Sequence, residues 1–439
     1  MRRTLDLSYS SNWLRLIALC AVIVALNGCV SMKRAQDESW FAPPRPEREI
    51  ERNRFSIGKE EDVIGRLVVI RLEQGDTLPD IARHFSLGIN AVSAANPGVD
   101  IWVPAAGERI VLPLNFILPD TPRKGIVVNL ATMRLFEFKE NGTSLAVSTY
   151  PVGIGTKERP TPIGQTRVVR KTARPTWHVP ASIAQDHLKK GDPLPKEVPP
   201  GPENPLGEYA LYLGKSGYLI HGTNKPASIG LKATNGCMRL YPESVKILFN
   251  DTPVNTPVDI VNQPYLIGQR NGMLYMEAHT PLEDSGVIEL ERIYTQLKAI
   301  EKKSGRPLDW NKVKKVQTEA RGIPVPIFEM SRGTEQEAAK PVEVEHPATL
   351  YGRPEIPELK LDAWYVLAAD LRDEIEAQRL AAIINHQGRP LPARVLPKNN
   401  GYRVIAGPFT DVNAAKEAAK RLKIDLELDG IVIEPVKKG

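Results

Sequence analysis

The chain carries one combination of side chains suited to nucleophilic chemistry. Cys237 and His221 lie sixteen positions apart in a glycine-containing segment. A free thiol has a pKa of about 8.5 and is mostly protonated at neutral pH, so cysteine nucleophiles are usually activated by an imidazole that accepts the proton. The pair therefore predicts acyl transfer, with Cys237 as the nucleophile and His221 as the base.

The residues around this pair favour the same chemistry. Residues 218–220 are apolar and predict a strand that ends at the histidine. Gly222 directly follows the histidine and Gly236 directly precedes the cysteine, and both permit sharp turns. We expect the amides of Gly236 and Cys237 to stabilise a tetrahedral oxyanion. Arg239 offers a rigid fork of donors for a substrate carboxylate.

The N-terminus predicts export. Arg2 and Arg3 at the start of the chain precede an apolar run at residues 16–26, which is too short to span a bilayer comfortably. The run ends in a Leu-Asn-Gly-Cys sequence that resembles a bacterial lipobox, and this implies a lipoprotein signal at residues 1–28 and a lipid on Cys29. The chain has three cysteines, so after processing Cys237 is the one free thiol. Such a cysteine in an exported chain is either inert and buried or reactive.

The segment from the histidine to the arginine resembles the signature of the YkuD-type L,D-transpeptidases, the ErfK/YbiS/YcfS/YnhG-like enzymes. The matching residues are His221, Gly222, Thr223, Ser228, Gly230, Thr234, Gly236, Cys237, Met238 and Arg239. An upstream turn with Thr156, Pro162 and Gly164 matches as well. The resemblance covers residues 124–262 and implies a β-rich catalytic domain. Short apolar runs alternating with Gly and Pro predict the same class.

The resemblance implies a role for each residue of the signature. Cys237 is the nucleophile, His221 is first the base and then the acid, and the carbonyl of Gly222 orients the imidazole. The other residues line the oxyanion and substrate sites: Gly236, Asn235, Thr234, Arg239 and Ser228. Many relatives have histidine in place of Asn235, and asparagine cannot titrate, so we expect catalysis to depend on His221 alone.

The implied reaction is acyl transfer on bacterial peptidoglycan. The thiol attacks the bond between the third, diamino, residue and the terminal D-alanine of a tetrapeptide stem, and D-alanine leaves. The thioester then passes to a neighbouring diamino acid, to a lysine of a wall-anchored lipoprotein, or to water, and the sequence leaves the acceptor open. No metal or organic cofactor is implied. The alternatives are an L,D-carboxypeptidase or hydrolase and an inactive wall-binding scaffold.

Residues 65–114 resemble a LysM module, a small carbohydrate-binding unit. The apolar spacing predicts the order strand, helix, helix, strand, with Thr77 as a helix N-cap. The resemblance rests on Gly75, Asp76, Thr77, Leu78, Ile81, Ala82, Phe85, Asn96, Val111, Leu112 and Pro113. The alternative is a small α/β subdomain that only packs on its neighbour.

Residues 361–439 resemble a SPOR domain, which implies binding to glycan strands. The predicted order β-α-β-β-α-β is that of an α+β ferredoxin-like sandwich. The resemblance rests on Tyr402, Arg403, Val404, Gly407, Pro408, Phe409, Ala414, Ala415 and Ala418. The first half lacks the Gly-x-Phe turn found before Asp411, so a plain ferredoxin-like interaction domain is the alternative.

Two segments are predicted to be linkers. Residues 29–64 are polar and rich in Arg, Glu and Pro, which is typical of a flexible tether. Residues 280–360 predict a surface helix followed by a second tether rich in Pro and Glu.

Residues 175–200 predict an irregular loop and a candidate lid, because the segment is too rich in proline to be helix or strand throughout. Trp177 is either a lid anchor or a packing residue. His178 and His187 lie in this loop without acidic or cysteine partners at ligand spacing, so no metal site is predicted.

Composition and charge limit the remaining possibilities. The chain is 42% hydrophobic and 25% charged, which favours a folded, multidomain protein. The net charge is +6, and the Lys and Arg residues are scattered, so nucleic acid is not an expected partner. We expect a periplasmic protein with a lipid anchor, in the outer membrane of a Gram-negative bacterium because Val30 is not acidic. The sequence does not decide the oligomeric state or targeting to division sites.

Overall fold

The computed structural model describes residues 50–436 apart from 59, 283–285, 332, 334–339 and 389–390. The predicted signal at residues 1–28, the lipid site Cys29 and residues 29–49 of the predicted tether lie outside the described residues. The described residues all belong to one of the two units into which the chain divides, Glu47–Gly439. Among them, no helix has both the length and the hydropathy that a membrane crossing needs.

A mixed sheet forms the centre of the described chain. Its nine strands there, in spatial order, are β1 (Arg54–Gly58), β6 (Ser144–Pro151), β5 (Arg134–Asn141), β4 (Gly125–Asn129), β15 (Pro257–Val261), β8 (Gly164–Ala173), β11 (Tyr209–Leu213), β12 (Leu219–His221) and β14 (Met238–Arg239). In β4, Ile126 and Val128 point into one core and Val127 into another. Because both faces are covered, this strand is apolar at successive positions instead of alternating.

The N-terminal module, residues 63–117, has the predicted order of elements. These are β2 (Val63–Arg71), α1 (Leu78–His84), α2 (Ile89–Ala95) and β3 (Arg109–Ile117). Thr77 caps α1, because its side chain accepts a hydrogen bond from the Asp80 amide at 3.2 Å. The Asn96 side chain joins α2 to β3 through two hydrogen bonds of 2.7 Å with the Val111 backbone. The LysM identity of this module stays a prediction.

The N-terminal module and the central sheet share one hydrophobic core. Leu78 of the module and Val127 and Phe136 of the sheet belong to the same cluster of buried side chains. At the junction, the buried guanidinium of Arg134 stacks on the ring of Phe116 at 4.0 Å. The module therefore covers one face of the sheet, and the opposite face packs on a second core.

The prediction of a flexible tether over residues 29–64 is wrong for its described end. Strand β1 pairs antiparallel with β6 along its whole length. Phe55 and Ile57 are 7% and 8% exposed and belong to the shared core. The alternation of apolar and polar residues in β1 is only five residues long, so the charged composition around it conceals the strand.

The remaining elements of the central part surround the last strands of the sheet. They are β7 (Ile154–Gly155), β9 (Trp177–His178), α3 (Ala181–Lys189), β10 (Glu197–Val198), β13 (Lys232–Thr234) and α4 (Pro242–Asp251). We call residues 175–200 the flap. The expectation of an irregular flap needs correction, because α3 begins after Pro180 and ends before Pro193. The prolines of the flap lie on either side of this helix and do not interrupt it.

Residues 265–328 form a hairpin–helix unit that the sequence interpretation missed. Its elements are β16 (Tyr265–Arg270), β17 (Met273–Ala278), α5 (Gly286–Ser304), α6 (Trp310–Glu319) and β18 (Val325–Pro326). The sequence predicts α5 as a surface helix, but Ile293 and Leu297 are buried in one cluster with Met276 of the hairpin.

The prediction of a second tether, which follows the surface helix within residues 280–360, is also wrong in part. Strand β19 (Val342–Glu343) pairs in parallel with β2. Val344 and Leu350 are buried in the core of the N-terminal module. A few apolar side chains among Pro and Glu are enough to attach this segment to its neighbour, although its composition is that of a linker.

The C-terminal domain has the predicted ferredoxin-like order. Its elements are β20 (Trp364–Leu371), α7 (Glu374–Asn385), β21 (Ala393–Lys398), β22 (Gly401–Phe409), α8 (Val412–Leu426) and β23 (Ile431–Ile433). The antiparallel sheet has the order β21-β22-β20-β23. Asp411 caps α8 by accepting from the amides of Asn413 and Ala414 at 2.8 and 3.0 Å.

Helix α7 attaches the C-terminal domain to the N-terminal module. Arg379 pairs with Asp100 at 2.6 Å, and Nε2 of His386 lies 3.1 Å from Asp80. The ring of His386 also lies against Trp102, with 5.3 Å between centroids. Two segments at opposite ends of the described sequence are therefore neighbours in space.

Replacing Phe55 by alanine should lower the free energy of unfolding by about 3 kcal/mol, the usual loss for a buried phenylalanine. Ser56→Ala lies on the exposed face of the same strand and should change the free energy by less than about 0.5 kcal/mol. Denaturant unfolding followed by circular dichroism measures both. If these residues were a tether, neither substitution would change the free energy of unfolding. Equal, small effects of the two substitutions would therefore contradict the pairing of β1.

Candidate active site

Strands β12 and β14 bring the predicted nucleophile and base to one face of the sheet. The two strands pair in parallel, with Ile220 opposite Met238 and His221 opposite Arg239. Ile220 and Met238 are fully buried in the core below. Because side chains alternate along a strand, His221, Arg239 and Cys237 lie on the other face. All three line one cavity of about 940 Å³.

His221 is held in one orientation and is neutral. Its Nδ1 lies 2.6 Å from the carbonyl oxygen of Gly222. A carbonyl can only accept, so Nδ1 carries the proton and Nε2 is the basic nitrogen. His221 is 4% exposed, and its burial, together with the charge of Arg239, lowers the pKa of the imidazole to about 3. The contact implied for the Gly222 carbonyl is thus present.

Cys237 is half-buried and is a neutral thiol in this environment. Burial raises the pKa of the thiol above its ordinary value, although a hydrogen bond from the Leu219 backbone and the charge of Arg239 act in the opposite direction. Sγ donates to the carbonyl of Gly217 at 3.6 Å. The resting cavity therefore holds a thiol and an imidazole, not a thiolate–imidazolium pair.

The side chain of Thr234 closes the turn that presents the cysteine. Its hydroxyl donates to the carbonyl of Cys237 at 2.6 Å and accepts from the amide of Gly236 at 3.1 Å. Gly236 has a φ of +98°, and a Cβ there would lie 2.7 Å from the ring of Tyr218, so the turn requires glycine. The Gly236 amide thus donates to Thr234 in the free protein, and its oxyanion role stays a prediction. The oxyanion role of the Cys237 amide stays a prediction.

Arg239 has the properties of an anion-binding residue. Its Nε is buried and has no hydrogen-bond partner in the part of the chain that the structure describes. Buried donors normally have an acceptor, so an unpaired buried donor on a residue that lines a cavity marks a position where an anionic group can bind. A carboxylate in the cavity, next to Cys237 and His221, would supply that acceptor.

The two other predicted substrate residues line the cavity and are engaged within the protein. The Ser228 hydroxyl donates to the carbonyl of Lys225 at 2.6 Å. Oδ1 of Asn235 accepts from Arg159 at 2.5 Å, and Arg159 also bonds to Asp186 of α3 at 2.6 Å. Asn235 thus connects the cysteine turn to the flap. Sequence reasoning missed Arg159, because a charge this distant along the chain gives no local pattern.

The flap contributes Trp177, His178 and His187 to the lining of the cavity, and its role as a lid stays a prediction. His187 lies 3.1 Å from Asp192, and His178 lies 3.5 Å from Glu197. Over the described ranges, no three His, Cys, Asp or Glu side chains are grouped to hold a metal ion. The anchoring role of Trp177 stays a prediction.

Two segments of the chain match known families. Residues 123–260 match the L,D-transpeptidase catalytic domain, YkuD, and residues 360–434 match the SPOR domain. Probable L,D-transpeptidase YbiS of Escherichia coli (strain K12) is 41% identical over 224 residues, which are 50% of this chain and 72% of the relative. This chain belongs to the L,D-transpeptidase family.

Two further L,D-transpeptidases of the same strain are similar over longer segments. Probable L,D-transpeptidase ErfK/SrfK is 36% identical over 280 residues, covering 62% of this chain and 89% of the relative. Probable L,D-transpeptidase YcfS is 36% identical over 255 residues, covering 57% and 75%. The predicted L,D-transpeptidase domain and SPOR domain are confirmed. The catalytic match contains the whole segment from His221 to Arg239.

Alkylation of Cys237 by iodoacetamide should accelerate with pH and have a midpoint above the ~8.5 of a free thiol, because burial raises the pKa of this thiol. The imidazole should add no inflection between about pH 5 and 8, since it is already neutral there. Mass spectrometry of the labelled protein measures the rate at each pH. Fast alkylation that persists to about pH 5 would reveal a thiolate–imidazolium pair and contradict this assignment.

Arg239→Gln should move that midpoint to higher pH, because the guanidinium charge lowers the pKa of the thiol. Arg239→Lys retains the charge and is the matched control, so its midpoint should stay near that of the unsubstituted protein. A shift of the same size in both variants would show that packing, not charge, sets the reactivity of the thiol.

Proposed function

We propose that this protein is a peptidoglycan L,D-transpeptidase in which Cys237 is the nucleophile and His221 the general base. One observation carries the proposal: a thiol, an imidazole with its Nδ1 bound to a carbonyl, and a partly orphaned guanidinium share one cavity wall. These are the groups needed to attack an acyl bond and to hold a carboxylate beside it.

The first half-reaction forms a thioester and releases D-alanine. Nε2 of His221 takes the proton from Cys237 as the sulfur attacks the carbonyl carbon of the third stem residue. The tetrahedral intermediate collapses, the C–N bond to D-alanine breaks, and the imidazolium gives its proton to the leaving amine. The imidazole is neutral again, and the acyl group is bound to sulfur.

The second half-reaction transfers the acyl group to an acceptor. An amine attacks the thioester carbonyl while His221 accepts one of its protons. The C–S bond then breaks, and the same proton returns to the sulfur. Water can follow the same route, so a hydrolase differs from a transpeptidase only in the acceptor. We expect an amine, either the side chain of a neighbouring diamino acid or a lysine of a wall-anchored lipoprotein.

Arg239 couples substrate binding to proton transfer. Its charge disfavours an imidazolium at His221 and helps keep the free enzyme neutral. A donor carboxylate bound to Arg239 would offset that charge, so the imidazolium becomes less unfavourable only when the donor is present. The base is thereby made stronger at the moment when its proton acceptance is needed.

We further propose that the protein acts at the cell wall from a membrane anchor. The SPOR domain and the LysM-like order of the N-terminal module support binding to glycan strands. The lipobox-like sequence supports a lipid on Cys29, in the periplasm and at the outer membrane. None of these steps needs a metal or an organic cofactor.

Cys237→Ala should abolish both the covalent adduct with a carbapenem and the release of D-alanine from disaccharide-tetrapeptides, because no thioester can form. His221→Gln should slow both by about 10²- to 10⁴-fold, the usual contribution of a positioned base. His178→Gln, an exposed histidine of the same cavity, is the matched control and should keep most of the activity. Mass spectrometry of protein and muropeptides measures both, and an adduct on Cys237→Ala would contradict the proposal.

Cys29→Ser should move the protein from the membrane fraction to the soluble fraction, because the lipid attachment site is removed. Cys20→Ser changes a cysteine within the predicted signal and should leave the anchor intact. Fractionation and immunoblotting measure both, with globomycin blocking maturation of the unsubstituted protein. A Cys29→Ser protein that stays with the membrane would contradict the lipid anchor.

A further inference from the structure

The cavity that contains Cys237 is built by two domains. Its lining includes Leu391, Glu417, Arg421 and Asp425 of the C-terminal domain. The last three are spaced four residues apart on α8 and therefore share one face of that helix. The SPOR domain is thus one wall of the catalytic cavity as well as an appended module.

Ion pairs hold this wall against the flap and the N-terminal module. Arg421 lies 3.2 Å from Asp192 of the flap, and their side chains are 27% and 12% exposed. His187 lies 3.1 Å from the same carboxylate. On helix α7 of the same domain, Arg379 pairs with Asp100 at 2.6 Å. Partly buried pairs are screened less than exposed ones, so they define where the wall lies.

The two sides of the cavity differ in charge. Arg239 and Lys225 line the catalytic side, whereas α8 carries two carboxylates, Glu417 and Asp425, with one guanidinium, Arg421. Asp425 is paired with Arg421 at 2.9 Å. Glu417 is exposed and has no ion-pair partner among the residues that the structure describes. A substrate carboxylate is therefore attracted to the sheet, and a cationic group is attracted to the wall.

We propose that the SPOR domain forms the acceptor side of the active site, with Glu417 attracting the ammonium group of the acceptor and Arg421 holding wall and flap together. This rests on the proposed function, in which the donor stem binds at Arg239 and leaves the α8 side for the second substrate. The bound ammonium first releases one proton to solvent. The neutral amine then attacks the thioester carbonyl and gives a second proton to His221, which passes it to the sulfur as the C–S bond breaks. Water carries no charge, so the wall favours transfer to the amine over hydrolysis.

The test measures how the thioester divides between amine and water. Full-length protein is incubated with a disaccharide-tetrapeptide, and mass spectrometry quantifies the cross-linked dimer and the hydrolysed tripeptide. In Glu417→Gln and in Arg421→Gln we expect the dimer-to-tripeptide ratio to fall about fivefold, the upper range for one solvent-accessible ion pair. Carbapenem acylation of Cys237 should stay within about twofold in both variants.

Lys416→Gln is the matched control. Lys416 is exposed on the same helix and is outside the lining of the cavity, so its ratio should not change. Arg421→Asp should lower the ratio, and adding Asp192→Arg restores an opposite-charge pair and should recover part of it. Recovery in the double variant separates the ion pair from a general loss of packing.

An unchanged ratio in both Glu417→Gln and Arg421→Gln would overturn the acceptor role of the SPOR domain. A parallel loss of acylation and transfer would also contradict it, because the wall would then act on the donor step. If the unsubstituted protein forms no carbapenem adduct, the proposed function itself is wrong. That result differs from one in which the adduct forms and only the acceptor role of the SPOR domain is wrong.

Discussion

The hydrogen bond from His221 to the carbonyl of Gly222 is the contact on which the chemistry depends. It determines the ring orientation and the tautomer together, because the acceptor belongs to the next residue in the chain. A neutral carbonyl stabilises an imidazolium less than the carboxylate of a Ser-His-Asp triad does. With Arg239 nearby, the free enzyme therefore keeps its base uncharged and its thiol protonated. Such a site resists oxidation better than a standing thiolate, which matters outside the reducing cytoplasm.

The parallel pairing of β12 and β14 brings the other site residues next to the oriented imidazole of His221. It sets His221 against Arg239 and puts Cys237 on the same face, while the intervening segment loops out to line the cavity. Gly153 bonds to the Arg239 backbone from the other side, so the strand that carries the arginine is held between two neighbours. The nucleophile is thus presented by a short strand end whose position is set by the whole sheet.

The sequence was most informative where function and local structure coincide. The signature from His221 to Arg239, the helix cap at Thr77 and the ferredoxin-like order could be predicted because each depends on residues close in sequence. Strand β1 was missed because its two apolar residues lie in charged surroundings. The hairpin was readable, because Asn271 and Gly272 form a turn signal between two apolar runs. The engagement of the Gly236 amide by Thr234 and the Arg421–Asp192 pair could not be predicted, since both depend on side-chain geometry or on distant contacts.

The core that the N-terminal module shares with the sheet beneath β4 makes the module part of the catalytic fold. Val127 and Phe136 of the sheet are covered by Leu78 and its neighbours, not by residues of the catalytic segment. Excising the module would expose this apolar face to water, so the two parts should melt in a single cooperative transition. Recombination between genes therefore cannot exchange this module as freely as a domain that folds independently of its neighbours. The N-terminal module and the catalytic segment therefore have to be inherited together.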